Sequence, residues 1–266
     1  MKRLSVTLNE EYLFENYQLT NYSVNQPTAP KLRSSIIDWL FVINRTLSDT
    51  PYTFFHAMKI FDSFVSLSSS QPNQNDIQLY AAVCYFISKK FNEVVMMSVA
   101  FVSKNILKNK YTSNDVIQTE LSLLKSIRFH IGIDTPYSYT SYLVYLISQH
   151  FDLSYIELSS IDLSLSVFFE NLIDLYTSSL SFDIALSSLF ALVNILRANK
   201  QIDEDKKKKI RELVRKVLKD ENKESVIKRS ETLSVTMCEI VREKRSWLRS
   251  KMYFKNSSVL IGDNDI

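Results

Sequence analysis

A chain of 266 residues, 45% hydrophobic and 12% aromatic, can bury one or two domain cores, yet it holds only 2 glycines and 5 prolines. So few turn-formers exclude a many-stranded sheet, and so little glycine excludes the phosphate loops and dinucleotide turns that need close backbone approach. The net charge of +3, from 32 Lys+Arg against 29 Asp+Glu, does not suggest a dedicated nucleic-acid binder.

Taken in order, the chain first allows a short helix over about 8–23. It shows Tyr12, Phe14 and Tyr17, aromatics suited to docking on a neighbouring domain. A polar joint with Pro27 and Pro30 follows. The first long helix opens with the stretch Leu32 to Leu40 and runs to about Leu47. From Ile36 to Ile43 it is apolar on every side except at Asp38, and a helix apolar all round is normally buried all round. It is therefore expected at the centre, with other helices packed about it.

Ser48-Asp49-Thr50-Pro51 starts a second helix, with Thr50 as N-cap and Pro51 at the first helical position. That helix runs to about Val65, and the Ser/Gln/Asn stretch from Ser68 to Asn75 is a loop. A third helix runs from Asp76 to about Lys90 and a fourth from about Met96 to Leu107. Thr112-Ser113-Asn114-Asp115 reads as a capping box, with Asp for the usual Glu. It starts a fifth helix ending near Phe129.

After Gly132, Thr135-Pro136 repeats the cap-then-proline device of Thr50-Pro51. A second set of helices spans about 136–149, 159–178, 182–198, 203–219 and 224–249, with an irregular tail from Met252. Asp76-Ile77-Gln78-Leu79 is echoed by Asp183-Ile184-Ala185-Leu186. Each precedes a small pair, Ala81-Ala82 or Ser187-Ser188, that allows close helix packing. Lys206 to Lys209 reads as the solvated start of a helix with an acidic first turn, Asp203 to Asp205, rather than as an import signal.

Cys84 and Cys238 exclude a disulfide framework and fit a reducing compartment. His56, His130 and His150 lack ligand spacing, so no metal and no cofactor is expected. The sequence shows neither a signal peptide nor a membrane span.

Four charges sit on stripes that should be apolar. Arg33 shares a face with Ile37 and Leu40. Asp62 falls in line with Phe55, Met58 and Val65. Lys90 ends the line Leu79, Val83, Phe86, and Glu120 joins Val116, Leu123 and Ile127. Such charges are paired internally, stand at the rim of the core, or face a second protein.

These positions carry a resemblance. Leu32 to Leu40 resembles the opening helix of a cyclin box, roughly Met-Arg-x-Ile-Leu-x-Asp-Trp-Leu, with Leu32 for the methionine and Ser35 for the first aliphatic. Asp62-Ser63-Phe64-Val65 is similar to the family's Asp-Arg-Phe-Leu, and Ile77-Gln78-Leu79 to its Leu-Gln-Leu. Ser88 to Glu93 is similar to Ala-Ser-Lys-Phe-Glu-Glu, and Glu120 to Phe129 to Glu-x-x-x-Leu-x-x-Leu-x-Phe. The marker positions Arg33, Asp62, Leu79, Lys90 and Glu120 are all filled. The chain thus resembles a cell-cycle cyclin of the A/B type through its first half; the second half matches in helix count and length.

The resemblance implies an all-α fold of two tandem five-helix domains behind a short N-terminal helix. The implied parts are an arm over 1–31, a cyclin box over 32–131, a second domain over 132–251 and a tail over 252–266. It implies a regulatory subunit that catalyses nothing and activates a cyclin-dependent protein kinase in the nucleus or cytoplasm, with no direct contact to nucleic acid or membrane. Arg33 and Asp62 would form an internal ion pair. Lys90, Glu120, Phe91 and Glu93 would face the kinase and touch its regulatory helix. Leu32, Ser35, Ile36, Trp39 and Val42, with Ile77 and Gln78, would form a shallow groove for Arg-x-Leu segments of substrates and inhibitors. Ser35 removes an aliphatic wall of that groove, and Val42 stands where the family has a glutamate. Leu32, Ile36, Trp39 and Val42 lie broadly opposite Arg33, Ile37 and Leu40 on the helical wheel, so they are expected to face out. The competing readings are a cyclin-fold transcription adaptor, which would want a basic face or zinc ribbon, a cyclin of a transcriptional kinase, and a helical scaffold with no kinase partner.

Overall fold

The computed structural model describes residues 30–67, 76–133, 135–151, 186–191, 193–194, 203–217, 223–228 and 230–235. The helices whose bounds lie within the described residues are α1 (Pro30–Leu47), α2 (Pro51–Leu67), α3 (Ile77–Asn92), α4 (Val99–Phe101, continuing as the π turn Val102–Ile106), α5 (Ser113–Ser126), α6 (Pro136–Phe151) and α7 (Glu204–Val217). The described residues contain no strand. The expected helices at 8–23 and 159–178, the loop at 68–75 and the tail lie outside them.

The chain divides into two compact units, one holding Ser23–Ser141 and the other holding Tyr142–Ser164 and Leu180–Ile266. In the first unit α3 is the central helix. Every residue from Ala81 to Lys89 is buried, and α1, α2, α4 and α5 all pack against it. Ala81 and Ala82 make this possible, because a helix without bulk on one side can be approached closely. The opening helix does not hold the centre. Among the described side chains of α1, Arg33, Ile36, Ile37, Leu40 and Asn44 are buried, while Asp38, Val42 and Arg45 are exposed. Apolarity on all sides was a poor guide there, because α1 covers the core from one side.

Local chemistry sets the helix ends. Asp115 and Thr112 exchange the reciprocal bonds of a capping box at the start of α5. Thr135 and Ser138 do the same before α6: Thr135 Oγ1 accepts from the Ser138 N–H and Ser138 Oγ accepts from the Thr135 N–H. Asp76, by contrast, does not cap α3; its carboxylate accepts from the Tyr111 hydroxyl at 3.1 Å.

Two expected boundaries move. The fourth helix begins at Val99 rather than Met96, because Ser98 supplies the cap that Met96 cannot, accepting from the Phe101 N–H. It ends in a π turn, released by Lys108 and Asn109 in the left-handed region. The fifth helix ends at Ser126, because Arg128 and Phe129 are both left-handed.

The second unit buries Leu186, Leu189, Phe190, Ala191 and Val193, with Ile210 and Val214 of α7 and Val226 and Ile227. Ser187 and Ser188 are fully buried, as small residues at a close packing site must be. On α7, Lys206, Lys208 and Lys209 are exposed, and Asp203 caps the first turn by accepting from the Lys206 N–H at 2.7 Å.

Candidate functional site

Three clusters of ionisable groups lie about α3 in the first unit. In the first, α1 and α2 are clamped by Arg33 and Asp62. Nε donates to Oδ1 at 3.0 Å and Nη2 to Oδ2 at 2.8 Å. Two parallel bonds use the planar fork of arginine, which a lysine could not reproduce.

The second cluster is one that sequence reasoning missed. Lys89, 5% exposed, is paired with Asp49 in the link between α1 and α2. The Tyr85 hydroxyl donates to Asp49 Oδ2 at 2.6 Å and lies 3.0 Å from Asn44 Oδ1. Burial, and then the Asp49 carboxylate, push the Tyr85 hydroxyl far up, so it stays a donor. The sequence signal was faint: a lysine directly following the apolar run that ends at Ser88. Asp49 read only as part of a helix start.

Beside it lies His56, also missed. Its Nε2 is 2.7 Å from the Ile131 carbonyl, and its Nδ1 is 2.9 Å from Asn92 Nδ2 and 3.2 Å from Ser88 Oγ. Ser88 donates to the Thr53 carbonyl, so the neutral ring with its proton on Nε2 satisfies the whole set. Burial lowers the His56 pKa, and the bond to Ile131 opposes this only in part.

The third cluster brings together two of the residues expected at the partner face. Lys90 at the end of α3 pairs directly with Glu120 in the middle of α5. The ammonium also sits 4.3 Å from the centroid of the Phe86 ring. Both side chains stand at the rim of the core: 31% of Lys90 and 16% of Glu120 remain accessible. Phe91, next in sequence, is 59% exposed, and its ring lies tilted against that of His56, with centroids 5.2 Å apart. Ile117 and Leu121, on the Glu120 side of α5, are exposed as well, and so are Val94, Val95 and Met96 in the α3–α4 link.

Glu93 is placed apart from that pair. Its Oε1 accepts from the Thr50 N–H at 2.7 Å, the Thr50 hydroxyl at 2.7 Å and the Thr53 hydroxyl at 2.6 Å. It is thus the anionic cap of α2, supplied from across the fold. Burial works to raise its pKa, but the bonds from Thr53 and Thr50 outweigh burial and lower it.

The expected groove is only partly open. Ile36 and Ile77 are buried, so Ile36 does not face out as the helical wheel suggested; it packs between α1 and the helices beneath. Trp39 and Gln78 are half-buried, and Ser35 and Val42 are exposed. Leu32 lies in α1, with its side chain outside the described residues. Among the described residues no His/Cys/Asp/Glu group could hold a metal, and no helix is long and apolar enough to cross a membrane.

Residues 5–132 match the family model "Cyclin, N-terminal domain". Over 110 residues the chain is 29% identical to S-phase entry cyclin-5 of Saccharomyces cerevisiae, covering 41% of this chain and 25% of that one. Over 109 residues it is 31% identical to G2/mitotic-specific cyclin-B3 of Mus musculus, covering 41% and 8%. The aligned part is therefore a quarter or less of the length of these two relatives. The fold is similar to that of a viral cyclin from herpesvirus saimiri, with a TM-score of 0.62 at 13% identity over 89% of this chain and 96% of that one. At that identity the likeness speaks for the fold alone. Residues 5–132 of this chain are thus similar in sequence to a cyclin N-terminal domain.

Proposed function

Starting from that likeness, we propose that the chain binds a cyclin-dependent protein kinase and activates it, catalysing nothing itself. The observation that carries this reading is the Lys90–Glu120 pair. It sits at the rim of the core, and the exposed apolar residues Phe91, Ile117 and Leu121 flank it. Exposed apolar residues beside a charged pair offer a partner both area to bury and groups that fix its orientation.

The chemistry suits the two ends of a helix. An ammonium donates to the free carbonyls of a helix C-terminus, and a carboxylate accepts from the free N–H groups of an N-terminus. Before a partner arrives, Lys90 and Glu120 satisfy each other. They are thereby held in place without either being stranded. A protein kinase needs the glutamate of its regulatory helix paired with its ATP-site lysine, so a partner that presses that helix inward completes the site.

We assign a second role to the face formed by Ser35, Trp39, Val42 and Gln78, which would hold substrate segments beside the bound kinase. The tandem arrangement, with a second cyclin-like domain over 132–251, is part of the same proposal. Co-purification of the chain with a kinase from its native cell, followed by phosphorylation of a protein substrate, tests the main reading. A chain that recovers no kinase activity while remaining folded sinks it.

A further inference from the structure

The chain's 5 prolines follow Gln26, Ala29, Thr50, Gln71 and Thr135, so two Thr-Pro steps exist. The structure treats them oppositely. Thr135 is 4% exposed and locked in its capping exchange with Ser138. Thr50 is exposed, in the short irregular link between α1 and α2, and its hydroxyl points at the Glu93 carboxylate. A residue before proline is held extended, the form in which a kinase receives an acceptor.

From these observations we propose that Thr50 is a phosphorylation site for a proline-directed protein kinase, and that its phosphate releases Glu93 from the start of α2. In the modifying step Thr50 Oγ attacks the γ-phosphorus of ATP. The bond to the ADP oxygen breaks, and the hydroxyl proton passes to the modifying kinase's base.

The consequence follows from the geometry. Thr50 Oγ lies 2.7 Å from Glu93 Oε1, so the product places a phosphate of about −1.5 to −2 charge against a carboxylate. Asp49 is the neighbouring residue and adds a further negative charge, while Lys89, whose charge also favours the Glu93 carboxylate, is already paired with Asp49. The phosphate also supplies its own oxygens to the α2 N-terminus, the groups that hold Glu93 now. Glu93 begins the link that carries the exposed Val94, Val95 and Met96. Expelling its side chain unfastens that link from α2. This inference stands without the kinase-activation reading, because it is measured on the chain alone.

The experiment treats the whole chain with ATP, Mg²⁺ and a mitogen-activated protein kinase, then maps phosphate by mass spectrometry. One phosphate is expected on Thr50 and none on Thr135, and Thr50→Ala should abolish it. Hydrogen exchange over residues 93–98 should then run at least ~10-fold faster in the phosphorylated chain, the scale of losing a charged hydrogen-bond set. Unmodified Thr50→Ala should stay close to wild type, since Glu93 keeps the Thr50 N–H and the Thr53 hydroxyl. Glu93→Gln, which removes the repulsion, should show a smaller acceleration on phosphorylation. Phosphate on Thr135 in preference to Thr50, no phosphate at all, or phosphorylated Thr50 with unchanged exchange over 93–98 each overturns the proposal.

Discussion

Arg33 and Asp62 meet through two parallel hydrogen bonds, 3.0 and 2.8 Å long, across 29 residues of sequence. Only 8% and 13% of the two side chains are accessible, so neither charge has water to fall back on. Removing one partner of a buried pair leaves an uncompensated charge and costs about 3–5 kcal/mol. Asp62→Ala should therefore destabilise the chain by about that much in chemical denaturation. Glu120→Ala should cost less, because Lys90 is 31% exposed and can reach water. Equal losses for the two variants would mean that the internal and the rim pair have been confused.

How far the sequence disclosed this arrangement depends on what each residue touches. The marker charges were legible because each interrupts an apolar stripe of its own helix, as Asp62 interrupts Phe55, Met58 and Val65. Helix starts were legible where the cap is local, as at Thr112 and Thr135. Groups satisfied from a distance were not. Lys89 reaches Asp49 across 40 residues, and Glu93 caps α2 across 43, so no local pattern announces either. The burial of α3 in place of α1 was also hidden. Hydrophobicity alone does not say which of two apolar helices is enclosed; the small Ala81-Ala82 pair, which admits neighbours closely, was the better sign.

His56 should make stability depend on pH. Burial lowers its pKa, with the Ile131 bond opposing in part, from an ordinary value of 6.5. The unfolded chain therefore binds the proton more readily than the folded one. Stability from this group is complete above about 6.5 and is lost as the pH falls from there toward the lower folded value. Melting curves of the wild type should drop across that window, and His56→Gln should flatten the drop. A wild-type slope that survives unchanged in His56→Gln would remove the histidine from the account.

Lys90 and Glu120 should matter for partner binding more than for folding. Truncating one member of a hydrogen-bonded charge pair at a desolvated interface costs about 2–5 kcal/mol of affinity. Lys90→Ala and Glu120→Ala should each weaken a kinase complex on that scale in titration calorimetry. Because the two residues already contact each other, their effects should not add, and the double variant should lose less than the sum. A double variant that binds and activates the kinase like wild type rules the assignment out.

The face of α1 should bind peptides with altered preference. Ile36 is 5% and Ile77 is 8% exposed, so they form a floor rather than walls. What remains for a peptide is the half-buried Trp39, with Val42 at 46% exposure beside it and Gln78 across on α3. In the cyclins that this helix resembles, an aliphatic residue stands at the place of Ser35, and a glutamate at the place of Val42 attracts the arginine of an Arg-x-Leu segment. A missing aliphatic contact costs about 1–3 kcal/mol and a rim charge about 0–1, so the serine should dominate the loss. Arg-x-Leu peptides should bind at least ~10-fold more weakly than to a cyclin that carries both groups, with selection shifted toward purely apolar segments. Trp39, as the aromatic anchor, should cost about 2 kcal/mol or more when cut to alanine. Val42→Glu should restore part of the preference for arginine, and that part should fade with added salt, because it acts through an exposed charge. Fluorescence anisotropy with labelled peptides, arginine-bearing against all-apolar, reads each of these changes. Affinity indifferent to Trp39→Ala, or arginine selection already at full strength with Val42 in place, would show that peptides do not dock on this face of α1.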